Sequence, residues 1–116
     1  RPGSNLGFQW MLTLVQTEQE RSDPLVRYLL AFQLEKRGLW SDAAQLFCAL
    51  DGTSNLPRIL QREAYYRCGR LLAYEDKFEP AALALERAIE KETLAGERTP
   101  IMRWLRYIQY RRTYRR

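Results

Sequence analysis

Histidine is absent from this chain. With it go the commonest general base, the commonest metal ligand and the usual activator of a nucleophilic Ser or Cys. Acid–base chemistry would then fall to carboxylates. Glu18, Glu20, Asp23 and Glu35 make no close pair at a recognisable spacing, and Glu86, Glu90 and Glu92 read as solvated helix charge. No glycine-rich phosphate loop, Cys-x-x-Cys pair or metal-ligand cluster is written in the sequence. Two cysteines, Cys48 and Cys68, are too few for a disulfide scaffold. Both fall on the buried faces of helices expected to touch, which leaves a disulfide geometrically open. The reading preferred is two small buried hydrophobes, with a reducing compartment slightly favoured. The expectation is therefore a non-enzymatic protein with no catalytic residue, metal or cofactor, whose sites are surfaces.

Arginine and tyrosine offer the other chemistry. Arg103, Arg106, Arg111, Arg112, Arg115 and Arg116 lie in the last stretch of chain, interleaved with Tyr107, Tyr110 and Tyr114, and no acid stands among them. The formal net charge is +5, and without these six arginines the remainder is close to neutral. Basic residues alternating with aromatics can bind phosphate backbones and stack bases. They can equally lie on an anionic membrane, or form a solvated capping face.

These groups must be positioned by helices, because no stretch alternates as a strand would. Asp23-Pro24 is a helix start, with Asp as N-cap and Pro where its missing N–H costs nothing. Leu25, Tyr28, Leu29 and Phe32 follow at helical spacing, as do Val26, Leu30 and Leu34, and Gly38 stops the helix. Ser41 or Asp42 is expected to cap a second helix running to about Leu50. The polar cluster Asp51–Asn55 is a turn, and Pro57 opens a third helix carrying Ile59, Leu60, Ala64, Tyr65, Cys68, Leu71 and Leu72. Pro80 fits the first turn of a fourth helix that runs to about Leu94. Gly96 breaks it, and Thr99-Pro100 restarts a fifth, whose Ile101, Trp104, Leu105 and Ile108 form a docking stripe. Phe8, Met11, Leu12 and Val15 suggest one more helix, over 6–21, with residues 1–5 a disordered or vector-derived start. With 116 residues and 46% apolar composition, this is one small soluble domain, and no apolar run approaches the roughly 20 residues of a membrane span. No signal peptide is evident.

Two of these helical pairs repeat each other. Trp40 falls on Phe78, Ala43 on Ala81, Ala44 on Ala82 and Phe47 on Leu85, every pair 38 residues apart. By the same offset Ala31 falls on Gly69, Leu34 on Leu72 and Leu30 on Cys68. Repetition of this size is the mark of a solenoid, in which each unit buries its apolar face only by stacking on the next.

The repeated residues resemble the tetratricopeptide repeat family. Ala31, Leu34, Gly38, Trp40, Ala43 and Phe47 fill its pattern in one unit, and Gly69, Leu72, Phe78, Ala81, Leu85 and Ala88 in the next. The offset exceeds the family's 34 residues, and Asp76 stands where a Gly is preferred. The resemblance implies an all-α, helix-turn-helix solenoid of five or six antiparallel helices: unit 1 over 23–57, unit 2 over 58–95 and a basic capping helix over 99–114. It implies a protein-binding adaptor, holding a partner helix or peptide in a concave groove lined by Tyr28, Phe32, Glu35, Tyr66, Arg70, Tyr74, Leu105, Gln109 and Arg112. Those aromatics could instead be covered within the chain, by the Leu6–Val15 helix. The open end of such a stack could also bind a second copy. The alternative partner is nucleic acid or an anionic membrane on the basic last helix.

Overall fold

Asp23 starts the first helix as its sequence requires: its carboxylate accepts from the Leu25 N–H at 2.9 Å, and Pro24 follows in the first turn. The computed structural model describes residues 23–50, 55–92 and 98–114. The expected helix over 6–21, most of the Asp51–Asn55 cluster, Leu94, Gly96, Arg115 and Arg116 lie outside them. The described residues are all-helical, in five helices with no strand: α1 (Pro24–Lys36), α2 (Trp40–Cys48), α3 (Arg58–Tyr74), α4 (Phe78–Lys91) and α5 (Thr99–Tyr114). Each packs on the next in the chain, with a smaller contact between α3 and α5. No helix among them is long and apolar enough to cross a membrane.

The two short turns are copies of one another. Gly38 has φ +81° and Asp76, 38 positions on, has φ +61°. At the first turn the Gly38 N–H donates to the Glu35 carbonyl and the Leu39 N–H to that of Leu34, each at 3.0 Å. At the second, Asp76 donates to Ala73 and Lys77 to Leu72, again at 3.0 Å. These paired bonds satisfy carbonyls that a helix end would otherwise leave open. Asp tolerates the left-handed conformation that Gly adopts freely, so the departure at position 76 keeps the geometry. Neither Ser41 nor Asp42 caps α2; its N-cap is Leu39, with no side-chain bond, and α4 likewise follows Lys77 uncapped. The turn's own backbone leads directly into the next helix, which leaves no place for a separate cap. α4 ends at Lys91, short of Leu94. There the Arg58 guanidinium, from the start of α3, donates to the Lys91 and Glu90 carbonyls at 3.2 Å, so α3 and α4 run antiparallel.

Two apolar clusters fill the interior. Leu30, Ala31, Leu34, Ala43, Phe47, Leu50, Leu56 and Leu71 build the first, and Phe78, Ala81, Leu85, Ala88, Ile101 and Ile108 the second. Leu72 packs against both. Burial of each large aliphatic here contributes about 1.5–3 kcal/mol. Small residues set the helix spacing. A Cβ added at Gly69 would lie 2.6 Å from Leu85 Cγ and 2.9 Å from the Ala81 carbonyl oxygen. An alanine in a helix interior ordinarily stabilises by about 1 kcal/mol relative to glycine. Here overpacking, at about 1–3 kcal/mol, outweighs that gain. Gly69→Ala should therefore lower the urea midpoint, and an unchanged or raised midpoint would show that α3 and α4 can separate freely.

Cys48 and Cys68 form a disulfide, with Cα atoms 5.1 Å apart. This corrects the expectation of two buried thiols: the end of α2 crosses α3 within bridging range. It also removes the ground on which a reducing compartment was favoured.

Candidate functional site

The sequence places a groove along α1, α3 and α5; the structure divides its residues among three environments. Tyr28 belongs to the core and not to a groove, being 8% exposed, with its ring edge-on to Phe47 at 5.5 Å. α1 is apolar around most of its circumference, so spacing alone does not say which side faces inward. The helix turns Tyr28 in and leaves Leu25, Val26 and Leu29 exposed.

Phe32, Glu35, Tyr66 and Arg70 sit together, half-buried, in a polar network between α1 and α3. Glu35 accepts from Arg67 Nη1 at 3.0 Å and from Arg70 Nη2. Arg67 Nε reaches Glu63 at 3.0 Å, and Glu63 accepts from Arg62 at 2.8 Å. The guanidiniums also stack on rings, Arg67 over Phe32 at 4.9 Å and Arg70 over Tyr66 at 5.4 Å. Burial disfavours the charge on Arg67, but Glu63, Tyr28 and Glu35 outweigh it and hold its pKa above the ordinary value. Burial also pushes the Tyr28 phenol up, against the opposing pull of Arg67. These groups tie two helices together and face one another.

The Tyr28 shift has a testable sign. A phenol whose pKa is raised on folding favours the folded state fully below the unfolded value near 10, and that contribution is lost as pH rises through the folded value. Stability should fall with pH above about 10. Tyr28→Phe should flatten the fall when unfolding is followed by circular dichroism, and an identical alkaline limb in both proteins would reject the assignment.

A second set of aromatics lies open. Trp40, the first residue of α2, meets Tyr74, the last of α3, at 5.1 Å between ring centroids. Tyr74 meets Trp104 at 5.3 Å, and Trp104 meets Tyr107 at 5.5 Å, both edge to face. Trp40 is 47%, Tyr74 46% and Tyr107 39% exposed, with Leu39 exposed beside Trp40. The row crosses three helices that share no local sequence. It is held from beneath by Arg111, which donates to the Tyr107 hydroxyl at 2.6 Å and lies over the Phe78 ring at 5.3 Å. Arg111 also pairs with Asp76 at 3.5 Å. Of this row the sequence offers Tyr74 as a groove residue and Tyr107 only as part of the basic, aromatic last helix. Trp40 and Phe78 hold the same repeat position, yet Phe78 is buried and Trp40 exposed.

The remaining predicted residues are dispersed. Leu105 packs into the second apolar cluster, and Gln109 is exposed. Arg112 turns to α4, where it pairs with Glu79 at 2.6 Å. Of the described basic residues on α5, Arg111 and Arg112 thus have acidic partners, while Arg103 and Arg106 are exposed. No group of three or more His, Cys, Asp or Glu side chains converges as a metal site among the described residues. The chain matches no known protein family, no curated protein and no solved structure.

Proposed function

We propose that this chain is a non-enzymatic protein-interaction module, a short stack of tetratricopeptide-like helical hairpins that holds its partner on the open aromatic row. The observation that carries the reading is the continuity of Trp40, Tyr74, Trp104 and Tyr107, each ring in contact with the next and three of the four substantially exposed. Aromatic side chains supply large contact area at low entropic cost, and Trp and Tyr dominate the energetics of protein interfaces. Each ring also carries a polar N–H or O–H that can fix a partner's orientation. The hairpin stack is supported by two turns of the same geometry 38 residues apart and by the close approach of α4 to α3 at Gly69.

The test is partner capture by variants that leave the interior intact. Trp40→Ala combined with Tyr74→Ala should reduce capture at least tenfold while far-ultraviolet circular dichroism stays unchanged. Retained capture by a folded double variant would remove the row from the interface. The network between α1 and α3 makes the control: Phe32→Leu should leave capture unaltered.

A further inference from the structure

Arg103 and Arg106 stand apart from the rest of the basic helix, since neither makes an ion pair or hydrogen bond among the described residues. With Arg98, Thr99, Met102 and Ile89 they line a depression of about 540 Å3 between α4 and α5. Among the described residues, three guanidiniums and no carboxylate line it. Arg98 is fixed there through Nε and Nη2, which donate to the Glu92 carbonyl at 3.3 and 3.1 Å. The Thr99 hydroxyl adds a further donor, and Ile89 and Met102 supply an apolar wall.

We propose that this depression binds one phosphoryl group carried on a protein partner, a phosphoserine or phosphothreonine with an apolar neighbour. A phosphoryl ester carries a charge of about −1.5 to −2 at neutral pH and three acceptor oxygens, which suits several forked guanidiniums better than a single carboxylate would. The apolar wall accommodates the side chain next to it. The extent of the patch separates this ligand from a nucleic acid. A phosphate backbone needs a continuous basic track, and its affinity grows with the number of phosphates neutralised. Beyond Arg106 that track is interrupted, because Arg111 is engaged by Asp76 and Tyr107, and Arg112 by Glu79. Among the described residues of α5, the charge without an acidic partner, on Arg103 and Arg106, is of single-phosphate size. The depression shares no lining residue with the aromatic row.

The experiment compares two degenerate peptide mixtures, identical but for a fixed central phosphoserine or serine flanked by apolar residues. A single-stranded oligonucleotide forms the third arm, and all are titrated at about 0.15 M salt with fluorescence anisotropy. The phosphorylated mixture should bind at least tenfold tighter than its serine twin. R103Q/R106Q should abolish that difference, and R103K/R106K, which keeps charge but loses the fork, should recover only part. The Trp40→Ala variant should leave phosphopeptide binding intact, so loss of the aromatic-row reading would be recognisable separately. Equal binding of the two mixtures, or preference for the oligonucleotide, would overturn the proposal.

Discussion

Reducing the Cys48–Cys68 bond should lower the unfolding free energy by about 3 kcal/mol, the largest single effect expected of a modest treatment. The bridge closes a loop with a sequence separation of 20 and joins the last residue of α2 to the middle of α3. In chain-entropy terms, a loop of that length restricts the unfolded ensemble by about this amount. The bond also lies where the first apolar cluster meets the groove behind α2, α3 and α4, lined by Cys48, Cys68, Leu72 and Ala84. Removing it releases the end of α2. Urea titrations with and without reductant, and on Cys48→Ala/Cys68→Ala, should agree with one another, both lying well below the oxidised protein. Coincident oxidised and reduced curves would show that the helices are held by packing alone. Alkylation before and after reduction gives an independent count of thiols: none before, two after.

Loss of the Glu35 carboxylate should be nearly as damaging. Its two oxygens accept from Arg67 and Arg70, so one carboxylate of α1 balances two half-buried guanidiniums of α3. Glu35→Ala removes the carboxylate that Arg70 pairs with and leaves Arg67 with Glu63 alone, while Arg70 Nε is already buried without a hydrogen-bond partner. Removing one side of such a network destabilises more than the network's own net worth, here by about 2–3 kcal/mol. Glu35→Ala/Arg70→Ala should be less damaging than the sum of the two single variants, which is the signature of direct coupling. The exposed Arg112–Glu79 pair, 46% and 79% exposed, provides the contrast. Glu79→Ala should change stability by no more than about 0.5 kcal/mol and only at low salt. Equal effects at the two sites would mean that burial does not govern these pairs.

How far the chain could be read in advance depended on whether the information was local. The Asp23-Pro24 start, the Gly38 stop and the 38-residue offset are local signals, and the matched turns at Gly38 and Asp76 follow from them. The small residues at the repeated position are both placed inside, Ala31 buried and Gly69 against Leu85, because smallness at a helix crossing is needed whatever the helix rotation. Rotation itself was not legible. On α1 the apolar positions run almost all the way round, so nothing local separates buried Tyr28 from exposed Leu29. Cys48 and Cys68 were recognised as neighbours, but whether two side-chain vectors meet is set by the crossing of α2 over α3. The aromatic row was hidden for a related reason. Trp40 and Tyr74 are end residues of different helices and Trp104 lies in a third, so only the folded chain brings them together. Trp40 shares its repeat position with Phe78, and the difference between them comes from Arg111 and α5 covering one of the two.

The central claim is that the row is an interface, and site-specific photocrosslinking tests it most directly. A benzophenone amino acid would be placed in turn at positions 40, 74 and 107, and at Gln45 and Glu86 as exposed positions off the row. The three row positions should each crosslink the same partner protein in cells, at comparable yield, while positions 45 and 86 give none of it. Capture of that partner from 45 or 86 but not from 40, 74 and 107 would place the interface elsewhere and contradict the account.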